Sequence, residues 1–312
     1  MTKMTGVSVV IPLYNKERYV KRAVDSVISQ THQCFEILVV NDGSTDGGPV
    51  KVAEIKDDRI KIIHQDNLGE SAARNKGISE AKYELIAFLD ADDQWEPEFL
   101  ENCVHILNVY SDAAMVGTAF KIVKSKVDIR YPEFKFVPEE HGLIENYFKA
   151  ALIINPICSS AVVVRKEVFY KIGFFTEGMQ YGPDSFMWSK ISLNYPVAFI
   201  NNYLASVYLN IDNRVSKQHE MVNDFPLFKY ISSLDKKIED VDYYYIKEYI
   251  YKKYLLIAGR YLYTGNKKMA RHYLLKAQRT ELNKMNYMLG RIALNLPYPM
   301  FKKVAGIWSK NR

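Results

Sequence analysis

The sequence predicts an α/β fold: a mostly parallel, Rossmann-like sheet sandwiched by helices, followed by a C-terminal helical extension. Short apolar runs rich in β-branched residues alternate with amphipathic helical segments from Val7 to Asn108, the signature of parallel strands joined by crossover helices. Polar residues of unusual type collect immediately after three of those runs, where open parallel sheets bind ligands. Beyond about residue 217 the strand-like runs stop and only helical periodicity remains.

Taken in order, Val7–Ile11 reads as a buried strand. Lys16–Gln30 reads as a helix with Tyr19, Val20, Ala23, Val24, Val27 and Ile28 on one face. Glu36–Val40, Ile60–His64 and Leu85–Leu89 are the next strands, separated by helices at Pro49–Ile55 and Ser71–Glu80 and followed by one at Pro97–Asn108. The pattern then loosens. Strands at Met115–Ala119, Ala161–Val164, Val197–Ile200 and Ala205–Leu209 mix with helices near Gly142–Leu152, Lys166–Ile172 and Asp184–Asn194. In the C-terminal region, Tyr254–Leu262 and Lys268–Ala277 flank Thr264-Gly265-Asn266 as a helical hairpin.

The 312 residues suffice for one large core or two smaller ones, and 25% charged with 48% hydrophobic residues is ordinary globular composition. No apolar stretch reaches the roughly 18 residues a bilayer span needs, and Met1–Gly6 leads into the first strand without a secretory h-region. Cys34, Cys103 and Cys158 are odd in number and widely spaced, so they read as reduced thiols. The expected compartment is the cytoplasm. The net charge of +6 conceals an asymmetry: residues 241–312 hold 15 Lys and Arg against 3 Asp and Glu. A basic tail on an acidic body points to an anionic partner, and no nucleic-acid module accompanies it. A solvated helical surface, or one that mediates a homodimer, is the plainer reading.

Three stretches carry chemistry. Leu89-Asp90-Ala91-Asp92-Asp93 puts three carboxylates at the end of an apolar strand. Hard divalent cations take such oxygen ligands, and like charges this close repel without a cation; the competing reading is a helix cap by Asp93. Asn41-Asp42-Gly43-Ser44-Thr45-Asp46 is turn chemistry, but on the same sheet edge. In Asn67–Gly77, Ala72 and Ala73 allow close helix packing, and Arg74 can reach a diphosphate. A dinucleotide-binding dehydrogenase is excluded by the first turn, Pro12-Leu13-Tyr14-Asn15-Lys16, which lacks the glycines such a turn requires. A sugar nucleotidyltransferase fails on the same turn.

The order Val9–Asn15, Asn41–Asp46, Asn67–Gly77 and Asp90–Asp93 resembles family 2 glycosyltransferases of the GT-A fold, over roughly residues 7–216. The resemblance implies a metal-dependent, inverting transferase, with a donor-binding half at about 1–115 and an acceptor half at about 116–216; the basic helical region at 217–312 lies beyond it. It implies a nucleotide-sugar donor, usually UDP-linked, bound with Mg²⁺ or Mn²⁺. By resemblance Pro12, Tyr14 and Glu17 line the nucleoside pocket and Asp42 contacts the base. Arg74 lies near the diphosphate, and Asp90 and Asp92 form the DxD pair, with Asp92 or Asp93 on the metal.

Gly182-Pro183-Asp184 through Trp188 is similar to the family segment whose aspartate is the catalytic base, which makes Asp184 the expected base, although Pro183 stands where Glu is usual. A plain helix cap is its structural alternative. The family's later Arg and His are not matched at Tyr208–Ser216; Arg214 and His219 are the substitutes on offer. Saccharides or lipid-linked saccharides at the inner membrane face are the implied acceptors, with the basic tail on anionic lipid. The rival from another class is a non-catalytic carbohydrate- or membrane-binding protein on the same fold.

Overall fold

The computed structural model describes residues 5–179, 181–209, 225–234 and 238–296. The chain forms two compact units, Met1–Lys217 and Gln218–Arg312. In the first, strands β1 (Val7–Leu13), β2 (Phe35–Asp42), β3 (Ile60–Gln65) and β4 (Leu85–Phe88) alternate with helices α1 (Val20–Ile28), α2 (Gly48–Ala53) and α3 (Glu70–Glu80). Then come β5 (Gln94–Trp95), α4 (Phe99–Val109), β6 (Met115–Val123), β7 (Ile129–Arg130), β8 (His141–Leu143) and α5 (Tyr147–Ile153). The unit closes with β9 (Val162–Arg165), α6 (Lys166–Ile172), α7 (Pro183–Asn194) and β10 (Val197–Tyr208).

All ten strands join one sheet, in the order β3-β2-β1-β4-β9-β6-β10-β5, with β7 on β6 and β8 on β10. β1 pairs in parallel with β2 on one side and β4 on the other, so the chain reverses its direction of travel across the sheet at β1. That reversal opens the crevice beyond the strands' carboxyl ends where α/β sheets hold ligands. β9 runs antiparallel between β4 and β6, joining the two halves into one surface. The apolar runs go where their composition directs: Val7, Val9, Val10, Ile11, Ile37, Leu38, Val39 and Val40 are fully buried. Helix α3 lies tight on β1, and a Cβ on Gly77 would stand only 2.3 Å from Val10 Cγ1.

The structure departs from the sequence reading where packing overrides local pattern. The first helix begins at Val20, because Lys16–Tyr19 form a turn closed by the Tyr19 and Val20 N–H groups on the Lys16 carbonyl. The expected helix from Gly142 starts at Tyr147 instead, after Asn146 takes the Lys149 N–H at 2.8 Å. Residues 141–143 pair with β10. The two strands expected between Val197 and Leu209 are one, β10, whose register against β6 slips between Ile200 and Ala205. The polar Asn201-Asn202-Tyr203 there hides the strand's continuity from a hydrophobicity reading.

The second unit contains α8 (Leu227–Ser232), α9 (Asp240–Tyr263), α10 (Lys267–Ala277) and α11 (Lys284–Asn295). Gly265 at φ 82 makes the expected turn, and Asn266 caps α10 through the Met269 N–H at 3.1 Å. Tyr261 and Tyr273 stack with ring centroids 5.7 Å apart, joining α9 to α10. Among the described residues no helix is long and apolar enough to cross a membrane.

Candidate active site

The acidic cluster is held by the strand that carries it and by the turn that follows. Leu89 still bonds to β1 through the Val10 carbonyl at 3.1 Å, and Asp93 N–H closes on the Asp90 carbonyl at 3.0 Å. The chain then leaves along β10 as β5, where the Trp95 indole donates to the Ser160 carbonyl at 2.7 Å and stacks on Phe99. Clamped at both ends, the turn brings one oxygen each of Asp90, Asp92 and Asp93 within 4.8 Å of one another. An all-oxygen donor set of this kind suits a hard divalent cation.

Each carboxylate has its own counterweight. Asp90 pairs with Arg74 at 2.8 Å; Arg74 is only 2% exposed and also pairs with Glu70. Asp92 pairs with Lys16 at 2.7 Å, with side chains 11% and 15% exposed. The Asp92 backbone carbonyl takes a hydrogen bond from the Arg22 guanidinium, which lies 3.6 Å from the Tyr208 ring centre. Asp93 is buried, and its oxygens accept from the Ser160 hydroxyl and, at 2.9 Å, from the Tyr208 N–H. Burial, with the charges of Asp90 and Asp92, holds Asp93 well above the usual carboxylate range. Arg74 draws Glu70 downward, yet partial burial and the charges of Asp90, Asp184 and Asp92 prevail and lift it to about 7.

The β1 and β2 loops interlock beside this cluster. Asn15, at φ 51, donates its N–H to Ser44 Oγ at 3.1 Å and takes the Thr45 N–H at 2.8 Å. Glu17 takes the Gly47 N–H at 3.2 Å, while its own N–H donates to Asp46 at 2.8 Å. Glu17 therefore stands against the 46–47 turn, Pro12 lies opposite Val40 in the β1–β2 register, and Tyr14 is exposed. Asp42 is buried, and its carboxylate accepts from Gln65 Nε2 at 2.7 Å and from the Leu68 and Gly69 N–H groups, each at 2.9 Å. Its carboxylate fastens the segment that leads into α3.

Asp184 enters from the other half. Gly182, left-handed at φ 62, starts α7 and places Asp184 in its first turn. The Ser159 hydroxyl approaches Asp184 Oδ2 at 3.5 Å. Its neighbour Ser160 bonds Asp93 and also accepts the Asp90 N–H at 3.2 Å. Two adjacent serines thus connect Asp184 to the acidic turn, and the Asp184 charge is felt at Glu70 and Arg74. Neither aspartate is the helix cap that was its structural alternative. The α7 cap is Gly182 and the α4 cap is Glu98, each without a side-chain bond.

Lys16, Arg22, Glu70, Ser159, Ser160 and Tyr208 escape the sequence reading; nothing local distinguishes the serine pair, whose partners lie about 25 and 70 residues away. Asn75 sits inside the Asn67–Gly77 motif with no role apparent from sequence. Its amide holds the Phe175 N–H and carbonyl, both at 2.9 Å, and also reaches Glu177. It thereby pins the loop that leads to Asp184. Asn75→Ala should cost about 1–3 kcal/mol of stability and speed amide exchange in residues 173–179, read by hydrogen–deuterium exchange. Unchanged exchange there would remove Asn75 from this role. Arg214 and His219 lie outside the described residues.

The model of the glycosyl transferase family 2 matches residues 8–173, more than half the chain. The chain belongs to that family. An uncharacterized glycosyltransferase of Rickettsia felis is 32% identical over 212 residues, 64% of this chain and 33% of the relative. One from Haemophilus influenzae is 31% identical over 235 residues, 70% of this chain and 72% of the relative. The chain thus spans about a third of the first relative's length but most of the second's. Among solved structures, S. aureus TarS 1–349 in complex with UDP-GlcNAc has a TM-score of 0.68 at 16% identity, covering 99% of this chain and 93% of that chain. At that identity the likeness is one of fold, and the family 2 domain here has the GT-A-like architecture. The family match covers β1 through β9, and therefore the acidic turn, Arg74 and the serine pair; Asp184 lies beyond it.

Proposed function

We propose that this family 2 member is an inverting glycosyltransferase that moves a hexosyl or N-acetylhexosaminyl group from a nucleotide-diphosphate donor, UDP-linked, to an acceptor hydroxyl. The observation that carries the reading is the convergence of Asp184 with the Arg74–Asp90 pair and Asp93 on one sheet edge, linked through Ser159-Ser160. In this reading Pro12, Tyr14, Glu17 and Asp42 form the nucleoside side of the site, Asp42 by fixing the 65–69 segment as well as by contact with the base. Arg74 and Asp90 serve the diphosphate and ribose. Asp92, or Asp93 in its place, would hold Mg²⁺ or Mn²⁺. The ion, when bound, offsets charge developing on the departing diphosphate. Asp184 takes the proton of the acceptor hydroxyl as its oxygen bonds to the anomeric carbon, the bond to the diphosphate breaks, and the configuration inverts.

The acceptor class that fits this reading is a saccharide or lipid-linked saccharide, with the protein cytoplasmic and resting on the inner membrane face through residues 241–312. Turnover of a panel of nucleotide sugars with Mn²⁺, with and without chelator, tests the core of the proposal. No transfer and no donor hydrolysis from any of them would refute it.

Lys16 bears on the metal. It sits on one oxygen of the Asp92 carboxylate, so an incoming divalent ion competes with an ammonium at 2.7 Å. Lys16→Gln should therefore tighten Mn²⁺ binding, by about tenfold for an effect of ~1.4 kcal/mol. Calorimetric titration of the full chain measures this, and weaker binding in the variant would make Lys16 a supporting rather than a competing group.

A further inference from the structure

The basic C-terminal region contains an organised surface, and its parts have different chemistry. On α11, Met285, Met288 and Ile292 are 66%, 48% and 53% exposed. Their spacing puts them on one side of the helix within a narrow arc. Lys284 and Arg291 run along one edge of that stripe, both exposed. The opposite side of α11 is the packed one: Gly290 and Ala293 are buried, and a Cβ on Gly290 would meet Leu274 of α10 at 2.9 Å. The stripe is therefore not the helix's core face turned outward. Three large apolar side chains within about two helical turns are unlike the singly scattered ones that need no explanation.

The charge around the stripe is one-sided. Residues 264–296 contain seven Lys and Arg and a single acid, Glu281. Glu281 is paired with Lys284. Lys268, Arg271, Arg279 and Arg291 make no ion pair among the described residues, and the first three lie on or just after α10, the helix packed against α11. A partner for this surface has to supply both anionic groups and an apolar phase beside them.

We infer that the Met285–Met288–Ile292 face of α11 is a membrane-docking surface, which seats in the headgroup and upper acyl region of an anionic bilayer while the neighbouring cations engage lipid phosphates. This rests on the membrane reading given above and names the surface that serves it. A second copy of the chain fits less well, since it would bring an equally cationic face against this one. Nucleic acid fits less well too, because aliphatic side chains between the cations would stay in water. An amphipathic helix with a cationic border lying in the interface plane meets both requirements at once.

The test uses the full chain in co-sedimentation with vesicles of equimolar phosphatidylglycerol and phosphatidylcholine, and with phosphatidylcholine alone. The wild type should sediment with the anionic vesicles, leave them at high salt, and ignore the neutral ones. M285E/M288E should bind the anionic vesicles at least about tenfold more weakly, with its circular dichroism and UDP affinity unchanged. Val127→Glu, at a residue 95% exposed in the first unit, makes one such change elsewhere and should bind as the wild type does. If the wild type binds anionic vesicles and the stripe variant binds equally, the assignment of this face is wrong while the membrane reading stands. If the wild type binds neither vesicle, the membrane reading itself fails. A wild-type dimer in light scattering that the stripe variant dissociates, without vesicle binding, would give the face to a second copy.

Discussion

Asp184→Asn should lower sugar transfer by ~10²–10⁴-fold, the usual loss when a general base is removed, and leave UDP affinity near that of the wild type. The asymmetry follows from where Asp184 sits. It comes from the first turn of α7, approached by the Ser159 hydroxyl at 3.5 Å, and makes no ion pair with Arg74, which is engaged by Asp90 and Glu70. Asparagine keeps the shape and can still accept from Ser159, so the variant removes the proton acceptor and little else. Stability should fall only by the ~0.3–1 kcal/mol that one acidic group contributes at a helix N-terminus. A second readout is electrostatic. The Asp184 charge is among those that lift Glu70 to about 7, so Glu70 in the variant should titrate at lower pH, detectable by carboxyl-selective NMR. Turnover equal to the wild type in a coupled UDP-release assay would reduce Asp184 to a helix-end charge.

The parts of this architecture legible in the sequence are those fixed by local pattern. β1, β2 and β4 are runs that only a buried strand accommodates, and the residues just after them are polar for no packing reason. Those two facts bring Asp42 and Asp90–Asp93 to one edge on pattern alone. The motif resemblance adds Arg74 and Asp184. What stayed hidden was set by long-range contact. Ser160 looks like any turn serine until β9 is laid between β4 and β6, whereupon its hydroxyl falls between the Asp90 amide and the Asp93 carboxylate. Lys16 reads as a helix residue because the Lys16–Gln30 segment is amphipathic, yet the turn that delays α1 to Val20 turns it toward Asp92. β5 and β7 have two residues each, too short for a period of two to be seen. Asp42 shows how a motif can place a residue without fixing its bonds. It is at the expected edge, but three donors of the 65–69 segment hold its carboxylate.

Two neighbouring aspartates should respond to the same substitution in opposite ways, and this is the sharpest test of the site. Asp92→Asn should abolish metal-dependent UDP binding, weakening it by ~100-fold or more if one of the ion's few carboxylate ligands is lost. The fold should hardly notice. Asp92 lies in the turn after β4 with its side chain 15% exposed, and its partner Lys16 has a flexible stem that can carry the ammonium to water. Loss of the charge also relieves part of the repulsion that keeps Asp93 above the usual carboxylate range. Asp90→Asn should instead destabilise the protein by ~2 kcal/mol or more, because it takes one of two anionic partners from an arginine that is only 2% exposed and whose Nε has no acceptor. Thermal unfolding without metal and calorimetric titration of UDP with Mn²⁺ separate the two. The expected pattern is an unchanged Tm with lost binding in Asp92→Asn, against a lowered Tm in Asp90→Asn, with binding there judged only below the new transition. Wild-type UDP affinity in both variants would show that the acidic turn holds no metal, leaving its three carboxylates as a structural cluster balanced by Lys16, Arg74 and Ser160.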